Sequence, residues 1–137
     1  MPRLMFALCC QSTSIDSRTN NVSIFHIIEE LQFQAFPAVF PFLEIVTHWQ
    51  REMDQLQAFT QRVRLLDPQG GVVGEHETPV IMERSRHRVF EQIQGVPFQQ
   101  AGNYTFEVSI RREGQEQWTV EAQIPLIVGE GVQPARR

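Results

Sequence analysis

The chain has no lysine: all twelve of its basic residues are arginine. That absence excludes Schiff-base chemistry, an anchor for pyridoxal phosphate, the phosphate-loop lysine and a Ser-Lys dyad. Cysteine is nearly absent as well, represented only by the adjacent Cys9 and Cys10. Neighbours on an extended strand point to opposite faces, so a disulfide between these two would be strained. One core thiol and one outward thiol in a reducing compartment is the simpler expectation, and a reactive thiol would need a cation beside it. Aspartate occurs only as Asp16, Asp54 and Asp67, too few for a calcium loop. No apolar run approaches the ~18 residues of a transmembrane helix. The run from Leu4 to Cys10 is short for a signal-peptide hydrophobic region and reads as a strand. A formal charge of −4 and a pI near 5.5 offer no broad attraction to phosphate backbones. Neither nucleic acid nor a membrane is therefore an expected partner, and the expected location is cytoplasmic.

What the chain does have is alternation. Tyr104, Phe106, Val108 and Ile110 alternate with polar residues from Asn103 to Arg111, the period of a half-buried strand. After the polar turn at 112–115, Trp118, Val120, Ala122 and Ile124 form a second face, which predicts a hairpin. Pro125 has no amide to donate and so marks a sheet edge or a bulge. Phe59, Gln61, Val63 and Leu65 make another face, ended by the turn residues Asp67-Pro68-Gln69-Gly70-Gly71. Leu43, Ile45, Thr47 and Trp49 make one more. Short β-prone runs at Val72–Val73, Val80–Met82 and Val89–Ile93 follow without long helical segments between them, the spacing of a sandwich or barrel.

Two segments leave a choice open. From Val22 to Leu31 the apolar positions fit helical as well as extended spacing, and the β-branched content with the Asn20-Asn21 turn favours a strand. Met53 to Ala58 could make one helical turn.

Ala101-Gly102-Asn103-Tyr104-Thr105-Phe106 resembles the Gly-x-Tyr tyrosine corner of immunoglobulin-like sandwiches, with Phe106 where antibody domains place cysteine. The longer run is similar to an uncharacterised bacterial family of small β-sandwich proteins. The segments that carry this resemblance are Cys9-Cys10, Asn21 to Ile28, Phe36-Pro37, Leu66-Asp67-Pro68-Gln69-Gly70 and Gly102-Asn103-Tyr104. It covers nearly the whole chain and implies a fold without implying an activity. The expected fold is thus all-β: a single-domain, antiparallel, immunoglobulin-like β-sandwich of about seven to nine strands. It spans residues 1–128, with a frayed tail over 129–137.

Catalytic patterns are missing. No Gly-x-Ser-x-Gly, dinucleotide loop or Cys-x-x-Cys occurs, and His26, His48, His76 and His87 are not spaced to share a metal. No cofactor is expected. Two surfaces stand out. Phe33, Phe36, Phe40 and Phe42 crowd a proline-broken connection and either plug the open end of the core or form an apolar patch for a partner. Arg84, Arg86 and Arg88 alternate, so three guanidinium groups could grip an anion; the plainer reading is a solvated strand face, with Glu83 and Glu91 flanking it. The leading expectation is a non-enzymatic protein-binding or scaffold module, self-associating or binding another protein through a sheet edge or the phenylalanines. The alternative is a small-ligand or anion-binding domain, or an unrecognised hydrolase, built on the arginines and His87.

Overall fold

The computed structural model describes residues 2–52 and 56–131. They form nine strands and no helix: β1 (Arg3–Ile15), β2 (Val22–Ile27), β3 (Glu30–Phe33), β4 (Ala38–Gln50), β5 (Gln57–Leu66), β6 (Val72–Met82), β7 (Arg86–Phe98), β8 (Gly102–Arg112) and β9 (Thr119–Glu130). Two sheets result, one ordered β2-β1-β4-β7 and the other β3-β9-β8-β5-β6. The faces turned toward each other carry the core, in which Trp49, Tyr104, Phe98, Phe106 and Leu43 are fully buried. The alternation in β5 and β8 is the clearest cause of this arrangement. Phe59, Val63, Leu65, Phe106, Val108 and Ile110 all lie within the hydrophobic cluster between the sheets.

The sandwich is all-β, as the periodicity implies, but it is not wholly antiparallel, because β3 runs parallel to β9 from Glu30↔Ile127 to Phe33↔Glu130. The segment read from sequence as one strand over Val22–Leu31 is two strands in different sheets. β2 pairs with β1, the chain breaks direction at His26 with φ 55°, and β3 joins the far sheet. The chain passes from one sheet to the other without a hairpin, and its new pairing, with β9, is parallel. Helical spacing there reflected the change of sheet.

Other elements are longer than the local signals suggest. The separate runs at Val72 and Val80 belong to one strand, β6. In the β8–β9 hairpin a bulge sits opposite Val108 and Ser109, so the inward face begins only at Ala122. Val120 is half-exposed, and Trp118 lies before the strand. The indole of Trp118 rests on the outer face, with the Arg62 and Arg111 guanidinium groups 4.2 and 4.6 Å from its ring. β9 continues through Gly129 and Glu130, and Gly131 donates its amide to the Phe33 carbonyl at 2.9 Å. Strand β9 therefore passes residue 128. The helical turn expected near Met53 falls largely outside the described residues, and Gln57 and Ala58 open β5.

Two of the sequence motifs meet in space. Tyr104 donates its hydroxyl to the Gln100 carbonyl at 2.8 Å, the bond expected of a tyrosine corner. The Asp67 turn packs against the same corner, with Gln100 Nε2 donating to Gln69 Oε1 at 2.7 Å and the Pro68 ring lying over Gly102.

Candidate functional site

The arginine stripe opens β7, the outer strand of the four-stranded sheet. Arg86 pairs with Gln50 and Arg88 with His48 on β4. Their side chains lie on the outward face, since Val89 and Glu91 at the intervening phase are buried on the inward one. Arg84 lies in the bend before the strand, not on it, yet it lines the same groove. That groove has a volume of about 440 Å³, and its walls include Arg84, Arg86, Arg88, His48, Phe90 and Asn20 but no carboxylate.

The flanking acids do not neutralise the stripe. Glu91 turns between the sheets, where it is 3% exposed, because an odd position on the same strand faces the opposite way. Glu83 contributes a backbone carbonyl to Arg51 at 3.0 Å. Arg88 donates to the Asn20 carbonyl at 2.8 Å, which draws the β1–β2 turn over the groove. Among the described residues no acid pairs with any of the three arginines.

His48 forms the groove's inner wall. Its ring stands edge-on to Phe6 at 5.2 Å, and Nε2 is shielded from solvent without a protein partner. Burial, then the positive charges of Arg86 and Arg88, hold its pKa below the ordinary imidazole value. Burial alone lowers that of His87, which lies beside Trp49 in the strand register. The groove therefore presents fixed cations around a neutral imidazole, a surface suited to receive an anion.

The four phenylalanines are placed differently from a free patch. Phe33, Phe36 and Phe40 pack on the core. Phe33 stands 5.9 Å from Phe36 and 5.6 Å from Phe98, and Phe98 is 5.0 Å from Tyr104. Phe33, Phe36, Phe98 and Tyr104 form one continuous aromatic cluster of edge-on and tilted contacts. Phe42 is half-buried outside that cluster. The exposed apolar residues are others, among them Phe25, Ile27, Val39, Val120 and Ile127.

Both thiols are buried and unbonded. Burial raises the pKa of Cys9 to about 12 and that of Cys10 to about 11, with Glu44 reinforcing the second. Neither is a thiolate nucleophile at neutral pH. Among the described residues no three histidine, cysteine or acidic side chains converge on a metal site.

A polar chain inside the core was not singled out from sequence. Gln61 Oε1 accepts from Thr47 Oγ1 at 2.6 Å and from Trp49 Nε1 at 2.9 Å, and Gln61 Nε2 donates to Glu91 Oε1 at 3.1 Å. The other carboxylate oxygen of Glu91 lies 3.2 Å from His76 Nε2, so the chain runs from the core to the β6 edge. The signal was present: Gln61 and Thr47 hold inward positions within otherwise apolar faces, and polar side chains there need partners.

Comparison with known proteins matches residues 5–127 to a family model described as a family of unknown function (DUF6941). No curated protein matches the chain.

Proposed function

We propose, from the premise that the chain belongs to this family of unknown function (DUF6941), that it is a non-enzymatic binding module. Its groove at Arg84, Arg86 and Arg88 captures a phosphate or carboxylate group. The observation that carries the reading is a groove walled by three arginines with no acid among its lining residues. Guanidinium groups left without carboxylate partners keep their forked donors for a ligand. The same groove in a chain of net charge −4 concentrates the local positive potential at one place. We read the sandwich as immunoglobulin-like, supported by the Tyr104 corner and the parallel β3–β9 pairing. A cytoplasmic setting is supported by the two free buried thiols.

Calorimetric titration with inorganic phosphate and with citrate tests the anion reading. Binding is expected to weaken steeply with added salt. Arg84→Gln with Arg86→Gln is expected to lower affinity at least about tenfold, the loss of one or two charge-assisted bonds. An anion in the groove offsets the two arginine charges that depress His48, so its pKa rises on binding. Affinity is therefore expected to increase as pH falls through the interval between the bound and free values, with the His48 ring resonances reporting the shift. Binding that is indifferent to salt and to both substitutions would remove the proposal.

A second reading, self-association through a sheet edge, is favoured by one observation. Among the described residues, β1 is unpaired on its outer side before Cys9, and β9 is uncovered before Ile127. An apolar groove of about 320 Å³ opens between them, lined in part by Leu8, Ile27, Ile124, Pro125 and Ile127. Edges of this kind template pairing with another chain. Light scattering is expected to show a dimer that Val120→Glu, on the uncovered part of β9, returns to monomer; a monomer at every concentration defeats this reading.

A further inference from the structure

On the opposite side of the sandwich the two sheets end in strands that do not pair with each other, β6 bonded only to β5 and β7 only to β4. Side chains alone must close that side. The register sets Met82, Val80, Thr78, His76 and Gly74 opposite the inward-facing Gln57, Phe59, Gln61, Val63 and Leu65, so they form the inward row of β6. Val80 and Met82 are buried and close one end. At the other end the inward position is glycine, and a Cβ built on Gly74 would meet nothing within 4 Å. Gly95, on the facing lip in β7, is equally open. Between them lies a cavity of about 330 Å³ whose apolar walls are Val63, Leu65, Val73, Ile93, Val96 and Phe106.

Its polar end is the edge of the buried chain. His76 lines the cavity and presents Nε2 to the Glu91 carboxylate, itself 3% exposed. With Nε2 engaged by the Glu91 carboxylate, Nδ1 is the ring nitrogen left for a ligand. Glu75 stands on the same rim. A ligand anion would thus meet Glu75 on the rim and no arginine, whereas a neutral donor would find the His76 ring in the wall. An apolar cavity of ~150 Å³ holds a benzene, so this one suits a body of about twice that size. We infer that the space between β6 and β7 is a binding site for a small neutral molecule with a compact apolar body and one hydrogen-bond donor, of the naphthol kind. The donor would meet His76 Nδ1 and the body would rest on Leu65 and Phe106. This site is on the inner side of the sheets, separate from the arginine groove, and does not depend on anion binding there.

The test uses the full chain with 2-naphthol, naphthalene and 2-naphthoate at pH 8. 2-Naphthol is expected to bind at a single site, with intermolecular nuclear Overhauser contacts to the methyl groups of Val63, Leu65 and Val96. It should exceed naphthalene by about 3- to 10-fold, the worth of one hydrogen bond, and His76→Phe should erase that margin. Gly74→Val puts a β-branched side chain where there is room and no positive φ, and should lower 2-naphthol affinity at least about tenfold by filling the cavity. Should that variant fail to fold, the contacts measured on the unmodified chain decide. The inference is overturned by absence of 2-naphthol binding, by contacts that place it elsewhere, or by 2-naphthoate binding at these residues as tightly as 2-naphthol.

Discussion

Gln61→Leu is expected to destabilise the fold by about 3–5 kcal/mol, a large part of the 5–15 kcal/mol that holds a domain together. Leucine fills the same space in the core but offers no amide. The Trp49 ring nitrogen then keeps only Thr47 Oγ1, at 3.1 Å, and the buried Glu91 carboxylate loses the donor now 3.1 Å from its Oε1. A carboxylate that loses a donor inside a core is the costly half of a broken pair, whereas removing both halves leaves no buried carboxylate and only the Thr47 hydroxyl short of an acceptor. Gln61→Leu combined with Glu91→Leu is therefore expected to recover much of the loss. Urea unfolding of the two single variants and the double variant measures the coupling. Equal, additive losses would show that the chain of polar groups does not act as a unit.

Gly102→Ala should lower stability by about 2–4 kcal/mol, through two separate penalties. The residue holds φ 147°, a region that side chains rarely adopt, and its added Cβ would come 2.5 Å from Pro68 Cγ and 3.1 Å from Pro68 Cβ. The proline ring is rigid and belongs to the tight Asp67 turn, where Asp67 Oδ1 accepts from Gln69 and Gly71 amides at 2.9 and 2.8 Å. It cannot swing away without loosening the turn. Pro68→Ala in the same chain relieves the contact but not the backbone strain, so about half the loss should return. A shift of the urea midpoint at constant slope is the expected signature. An unchanged midpoint for Gly102→Ala would mean that the corner and the turn yield freely.

The sheets themselves were legible because burial on one face writes a period of two into the chain. Phe59 to Leu65 and Tyr104 to Ile110 needed nothing more to be placed correctly. The tyrosine corner was legible for a similar reason: a glycine, a tyrosine and their spacing are local, and so is the bond from Tyr104 to Gln100. Val22–Leu31 failed the same test. Its apolar residues serve two sheets in turn, and a change of sheet leaves no periodic mark. Trp118 and Val120 do not share with Ala122 and Ile124 the one face that the alternation implies, because a bulge adds one residue silently and shifts the phase of the positions before it.

The candidate sites were half legible. The alternation of Arg86 and Arg88 placed them on one face, but it also places Glu91 on the other, and that consequence removes the acid from the groove. His48 comes from β4, forty residues before Arg88 in the chain, and meets it only through strand pairing. The phenylalanines are open to two readings in sequence, plug or patch, because prolines break the segment; in the fold Phe33, Phe36 and Phe40 pack against the core, with Phe33 beside Phe98.

Sequence alone determined the class of fold, the lack of lysine chemistry and the phase of β5 and β8, because composition and side-chain alternation are properties of neighbours along the chain. Tertiary structure decided which strands met, the parallel closure by β3, the partners of Gln61 and Glu91, and the open space beside Gly74. Those depend on residues far apart in the chain being brought within a few ångströms, and no local period carries that distance.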